Sequence, residues 1–349
     1  MTKQTRRKPR TRGARIRRAL GWTVLALVVA GGGLGYWAYT HLADNLSTVD
    51  INQALGKDRP KDVDDGARNI LILGSDSRSG ANKDLAGGDT GGTARSDTAM
   101  VVHLPQGRKR ATAVSIPRDT LVSRPACTTA SGSALPAADR VMFNSVYTSG
   151  GPACVVKTVE SMSGVRMDHY VELDFTGFKG LVDALGGVPV TLDRPIHDKE
   201  SGLDLSAGTH RLDGTGALAF VRTRHGIGDG SDLGRIGLQQ KFILALLSEL
   251  KRQNVLGNPA KLYKTANAAT KALTTDSELG SLPKLADFAR SLKGLDTSTM
   301  ETVMLPVDYD TTDPNRVVAA QPQAHDLWTA LREDRPVPTD AKRSPAHGG

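Results

Sequence analysis

Hydrophobic positions along the chain follow two different patterns. Ala19–Thr40 is one unbroken stretch of 22 residues without a formal charge. At about 1.5 Å per residue a helix of that length spans roughly 33 Å, enough for a bilayer core of about 30 Å. Further along, the apolar runs are short and separated by turn residues. Asn69–Leu73 (NILIL) is apolar on both faces and predicts a central strand covered on both sides. Thr98–Leu104 and Ala111–Ile116 read the same way, with Arg108, Lys109 and Arg110 in a short hairpin-like connection after Gly107. Ser79–Ala94 carries five glycines and reads as a loop. No Gly-Lys-Ser/Thr follows it, which excludes a P-loop.

The second half alternates helical and extended patterns. Phe175–Leu185 has helical spacing and stops at Gly186-Gly187. Val188–Leu192 and Leu218–Arg224 are expected as strands, and Leu233–Leu250 as a long amphipathic helix. Helices are expected around Pro259–Leu273 and Leu282–Leu292, then a strand at Glu301–Val307 and a short helix at Ala324–Arg332. Interleaved strands and helices predict one three-layer α/β domain. The domain map is then 1–18 as a basic tail, 19–40 as a membrane helix and 41–66 as a polar stalk. The folded domain is expected over 67–335, with 336–349 as a disordered tail.

Composition sharpens this picture mainly through where the charge falls. Hydrophobic residues make up 39% and charged residues 23% of the 349 positions, an ordinary globular balance. Residues Met1–Arg18 hold nine Lys/Arg and no acid, which leaves 36 basic against 37 acidic residues elsewhere. A nucleic-acid-binding domain would carry its basic excess on the folded body. Here the excess marks the cytoplasmic flank of the apolar stretch, so everything after His41 is expected outside the membrane. Trp22 near one end and Tyr36, Trp37 and Tyr39 near the other suit membrane interfaces. A cleaved signal peptide would have a shorter apolar region, of about 7–15 residues. The two cysteines, Cys127 and Cys154, both fall in the exported part, and an even count in an oxidising compartment predicts one disulfide.

Charged residues gather just past the expected strands, where open α/β sheets place their ligands. The first strand runs into Asp76 and Arg78, and the third into Arg118 and Asp119. Asp97 stands at the start of the second strand. On a strand, Arg222 and Arg224 would share a face, and two adjacent guanidiniums favour an anion between them. Arginine forks match phosphate oxygens, so phosphate is the natural anion. Asp232, Arg235 and Gln239 share one helical face near a helix N-terminus. Asp76 and Asp97 offer hard oxygen ligands of the kind Mg²⁺ takes alongside substrate phosphates. Glu172 and Asp183 read as residues of solvated faces, and His169 and His225 as non-catalytic. There is neither a Gly-x-Ser-x-Gly elbow nor a His-Glu-x-x-His zinc motif.

Six stretches in order resemble the LytR-CpsA-Psr family of bacterial cell-wall enzymes. They are NILILGSDSR (Asn69–Arg78), RSDTAMVVHL (Arg95–Leu104), SIPRDTLV (Ser115–Val122), FNSVYTSGG (Phe143–Gly151), DFTGFKGLVDALGGVPV (Asp174–Val190) and VRTRHGIGDGSDLGRIGLQQKF (Val221–Phe242). The resemblance implies a central mixed β-sheet flanked by helices, behind one N-terminal transmembrane helix. It implies a membrane-anchored phosphotransferase that moves a glycopolymer from a polyprenyl-pyrophosphate carrier to the C6 hydroxyl of N-acetylmuramic acid in peptidoglycan. In family terms Arg118, Arg222, Arg224, Arg235 and Gln239 match pyrophosphate-holding positions, with Arg78 a further phosphate contact. Asp76 and Asp97 match the positions tied to Mg²⁺, or Mn²⁺ in its place, and Asp232 matches an acid of the family motif. Asp232 and Asp119 are the candidates for taking the acceptor proton, and Asp229 lies in a loop that varies in the family. The disulfide is not a general family feature. Two rivals remain: a hydrolase of the same lipid pyrophosphate, and a non-catalytic sensor or transcriptional attenuator.

Overall fold

The computed structural model describes residues 12–56, 59–61, 66–75, 96–129, 131–224 and 232–343. The N-terminal unit is one helix, α1 (Arg12–Asp44). Its segment Leu20–Asp44 is long and apolar enough to cross a membrane.

The second unit begins at Leu46 and is built on a seven-stranded sheet. Its strands are β1 (Ser47–Val49), β2 (Arg68–Ser75), β3 (Ser96–Leu104), β4 (Thr112–Ile116), β5 (His169–Asp174), β6 (Leu273–Asp276) and β7 (Glu301–Met304). The order across the sheet is β1-β6-β5-β2-β3-β4-β7. β5 is parallel to β2, β7 is parallel to β4, and β3 is antiparallel to both of its neighbours. β2, β4, β5 and β7 therefore end at one edge of the sheet, where β3, β6 and β1 begin.

The double-faced apolar pattern of β2 has the expected consequence. Leu71 and Leu73 face a core shared with Val101, Val114 and Tyr170, closed by α2 (Ile51–Leu55), α3 (Phe143–Ser163) and α9 (Gln323–Arg332). Ile70 faces the other side with Met100, Val102 and Ala113, under α6 (Asp232–Arg252) and α8 (Leu282–Ser291). The protein is thus an α/β fold with a central mixed sheet between two helical layers. A third cluster joins α4 (Phe175–Ala184), α5 (Gly214–Arg222) and Phe242 of α6 to the hairpin of Val188–Leu192 and Gly208–Leu212. α7 (Pro259–Ala272) packs on α4 at Gly177, where a Cβ would lie 2.3 Å from the Ala272 backbone.

Several expectations need correction. Leu218–Arg224 is not a strand: Asp213 caps α5 by accepting from Gly216 N at 2.7 Å, and the helix runs to Arg222. The apolar run is short, and such runs fit both periods. The segment expected as a stalk supplies β1 and α2, and Ile51 and Leu55 are core residues. The expected disordered tail packs Val337 and Ala341 into the same core. The strand expected at Glu301–Val307 breaks after Met304, and Val307–Tyr309 pairs separately with Val317–Ala319. FNSVYTSGG opens α3, with a non-helical Gly151 and Pro152 inside it. Cys127 and Cys154 are joined in a disulfide that ties the short strand Cys127–Thr128 to this helix.

Candidate functional site

The segments that carry the described site residues meet at the edge where β2, β4 and β5 end. Pro117-Arg118-Asp119 follows β4 in a turn closed by Thr120 N to the Pro117 carbonyl at 3.1 Å. The first turn of α3 secures this loop, because Asn144 N donates to the Arg118 carbonyl at 3.0 Å and Phe143 N to the Thr120 carbonyl at 2.9 Å. Asp119 pairs with Arg118 Nε and with Arg316 Nη1, each at 3.6 Å. Its carboxylate holds two guanidiniums rather than standing solvated.

Asp174 closes β5 level with Ser75 of β2 and caps α4 by accepting from Gly177 N at 2.7 Å. The next residue, Phe175, lies under the Arg222 guanidinium, 5.2 Å from ring centroid to Cζ. A guanidinium over an aromatic face is held by the ring quadrupole. Arg222 and Arg224 are therefore neighbours at a helix C-terminus and not on a strand face: α5 ends at Arg222, and Thr223 turns extended. Gly214 allows α5 to approach α4, since a Cβ there would meet the Lys179 carbonyl at 2.4 Å. Asp183, expected on a solvated face, accepts from Gly214 N at 2.7 Å and fixes the same crossing.

α6 completes the cluster. Arg235 and Gln239 lie one turn apart on its buried side, 3% and 6% exposed, as the spacing predicted. Gln239 donates to the Val221 carbonyl at 3.1 Å, and Gln240 donates to Ser115 Oγ of β4 at 3.1 Å. Together these contacts bring the segments that carry Arg118, Arg222, Arg224, Arg235 and Gln239 to one edge of the sheet. Asp232 opens α6, but its side chain lies outside the described residues, as do Asp76, Arg78, His225 and Asp229.

Asp97 sits in the backbone of β3 at a register shift: Gly74 pairs with Thr98 and Ser75 with Ser96. It is the extra residue of a bulge, a feature that re-aims side chains at sheet ends. Its side chain is not described. Asp76 follows Ser75 directly in the chain. Aspartates are donors of the kind Mg²⁺ takes, and Asp76 and Asp97 are the two that the sequence offers. Among the described residues no group of three or more His, Cys, Asp or Glu is placed to hold a metal.

Sequence reasoning missed two carboxylates beside the site. Glu172 accepts from Tyr147 and from Tyr170, each at 2.7 Å, and so is not the solvated residue expected. Burial, then the Glu172 charge, raises the Tyr170 phenol well above its ordinary pKa. Asp198 accepts from Arg224 N at 2.9 Å. His169 lies 3.3 Å from Asp276 and edge-on to Phe288, in a structural setting. A separate cleft of roughly 180 Å³, lined by Lys61, His103, Arg166 and Arg332, opens at the opposite edge of the sheet.

Fold and site together define an α/β domain with arginine-bearing segments beyond the ends of β2, β4 and β5. The sequence model of the LytR_cpsA_psr family matches residues 38–333, and the chain belongs to that family. It is 31% identical over 353 residues to the cell wall biosynthesis protein LcpA of Corynebacterium glutamicum, covering 91% of this chain and 66% of that one. The chain thus spans just under two thirds of that relative's own length. It is 34% identical over 236 residues to the polyisoprenyl-teichoic acid--peptidoglycan teichoic acid transferase TagT of Bacillus subtilis, covering 64% of this chain and 67% of that one. A solved structure of TagT bound to LIIa-WTA aligns with a TM-score of 0.58 at 26% identity, covering 82% of this chain and 98% of that one.

Proposed function

We propose that the protein is a membrane-anchored phosphotransferase that moves a glycopolymer from a polyprenyl-pyrophosphate carrier onto peptidoglycan. The observation that supports this reading is that the segments carrying Arg118, Arg222, Arg224, Arg235 and Gln239 meet at one sheet edge. Arginine forks match phosphate oxygens bidentately, so a pyrophosphate at this edge would find several of them in reach. TagT, a relative named as a polyisoprenyl-teichoic acid transferase, supports the substrate class.

Phosphoryl transfer depends mostly on positioning and charge stabilisation. The arginines hold the pyrophosphate and neutralise the charge that grows on the leaving polyprenyl phosphate. The N-acetylmuramic acid C6 hydroxyl attacks the phosphorus nearest the glycopolymer. A new P–O bond forms, the bond to the polyprenyl phosphate breaks, and the sugar is left joined through a phosphodiester. Asp119 is engaged by Arg118 and Arg316, which leaves Asp232 to take the hydroxyl proton. Asp76 and Asp97 would hold Mg²⁺, or Mn²⁺, which would supply further neutralisation of phosphate charge.

The lipid tail has an apolar path in this reading. Ile72 and Val171 of the sheet, Ile243 of α6, Phe288 of α8 and Leu292 just after it are only partly buried. Ile243 lies one turn beyond Gln240, whose amide marks the site end of β4. The nine basic residues before α1 enters its apolar stretch favour a cytoplasmic N-terminus, with the arginine cluster outside.

The test uses the full chain in nanodiscs with a polyprenyl-pyrophosphate glycan, Mg²⁺ and a peptidoglycan fragment, with products read by mass spectrometry. A phosphodiester-linked adduct is expected. Free lipid phosphate with unmodified acceptor would support the hydrolase reading, and bound but intact donor the sensor reading.

A further inference from the structure

The arginine pair leaves α5 without the usual helix stop. No glycine or left-handed residue follows Arg222; Thr223 goes directly to φ −58°, ψ 133°. Such an exit has few bonds of its own to define where the next side chain stands. Its definition comes instead from a hairpin more than twenty residues earlier in the chain, made by Ile196–Asp198 and Leu203–Leu205.

Asp198 is the central residue of this brace, and it is 3% exposed. Its Oδ1 accepts from Glu200 N at 2.9 Å and from Ser201 N at 3.3 Å, which shapes the hairpin turn. Its Oδ2 does something the turn does not need, and accepts from Arg224 N at 2.9 Å. Thr223, fully buried, adds a second grip: its hydroxyl donates to the Ala219 carbonyl at 2.9 Å and lies 2.7 Å from Ser201 Oγ. The hairpin thus holds both residues that follow Arg222.

The placement of the charge argues against a purely local role. A carboxylate at a helix C-terminus meets the negative end of the macrodipole, where cations are favoured. Burial adds a desolvation cost. A turn alone could be served by a neutral or exposed residue. Three backbone N–H donors offset both costs.

We propose that Asp198 is a positioning residue for the arginine pair, setting the direction in which Arg224 leaves α5 toward the pyrophosphate. This rests on the phosphotransferase reading for its consequence, though not for the brace itself. Asp198→Asn keeps the shape but leaves one acceptor oxygen for donors that lie on two sides, so either the turn or the Arg224 N–H loses its partner.

The experiment compares full-length wild type, Asp198→Asn, Thr223→Val, Arg224→Ala and the Asp198→Asn/Arg224→Ala double variant in the same nanodiscs. Hydrogen–deuterium exchange of the peptide over 219–224 reads the brace without any ligand. Geranylgeranyl pyrophosphate binding reads its consequence. Faster exchange is expected in Asp198→Asn and Thr223→Val. Affinity should fall about tenfold or more in Asp198→Asn, with the double variant no weaker than Arg224→Ala alone. Unchanged exchange in both variants would refute the brace. Additive losses in the double variant would show that Asp198 does not act through Arg224. Faster exchange in the variants, with no binding by wild type, would keep the brace but overturn both its assigned purpose and the phosphotransferase reading.

Discussion

Gln239 of α6 donates its side-chain amide to the carbonyl of Val221, 3.1 Å away and immediately before Arg222. One polar residue therefore joins the helix that carries Arg235 to the helix that delivers Arg222 and Arg224. Its neighbour Gln240, bonded to Ser115, fixes α6 against the end of β4. Replacing Gln239 with leucine preserves volume and leaves the Val221 carbonyl short of a partner. An unmet buried acceptor costs about 1–3 kcal/mol. We expect kcat/KM for transfer to fall roughly 5- to 150-fold. Lys264, exposed on α7, serves as a control, and Lys264→Ala should leave the rate unchanged.

The guanidinium pair should show graded sensitivity. Arg222→Ala or Arg224→Ala removes a charged hydrogen-bond donor worth about 1.5–3 kcal/mol, or roughly 10- to 150-fold in rate. Phe175→Leu keeps an apolar side chain under Arg222 but deletes the ring face. It should cost about 0.5–2 kcal/mol of transition-state stabilisation. A rate loss in Phe175→Leu without a matching drop in melting temperature would assign the effect to Arg222 and not to packing.

Much of this arrangement was legible before the structure. β2, β3 and β4 stand out because both faces of each strand are apolar, and α6 because Leu233–Leu250 is amphipathic at helical spacing, which puts Arg235 and Gln239 on one face. α5 was not legible, since a short apolar run such as Leu218–Val221 fits a strand as well as a helix. α3 was hidden by Gly150, Gly151 and Pro152, all poor helix formers. Asp198 and Glu172 did not stand out as site residues because their partners, Arg224 and Tyr147, lie about 25 residues away in sequence. Periodicity registers neighbours along an element; it carries no information about a carboxylate that meets a distant backbone N–H.

The far end of α6 predicts an acid-sensitive stability. Glu249 is buried and accepts from Arg252 at 2.7 Å, Gln253 at 2.8 Å and Arg211 at 3.1 Å. These bonds, the one to Arg252 foremost, lower its pKa from 4.5 to about 2. A depressed carboxylate stabilises the fold above its unfolded pKa and loses that contribution as pH falls through the folded one. Wild type should therefore lose this part of its stability between pH 4.5 and 2. Thermal melts of Glu249→Gln should start lower at pH 7 and fall less over that window. Parallel pH profiles for the two proteins would contradict the assignment.

The metal proposal makes its own prediction. Asp97→Asn keeps the bulge residue's size and removes one hard anionic ligand. Transfer should then require a much higher Mg²⁺ concentration for half-maximal rate, read by titration, with the fold unchanged by circular dichroism. An unaltered Mg²⁺ titration would remove Asp97 from the metal site.

The most direct measurement is an experimental structure of the full chain with geranylgeranyl pyrophosphate. Phosphate oxygens are expected within hydrogen-bond reach of Arg118, Arg222 and Arg224, beyond the ends of β2 and β4. A pyrophosphate lodged instead in the cleft of Lys61, Arg166 and Arg332 at the opposite edge would contradict it.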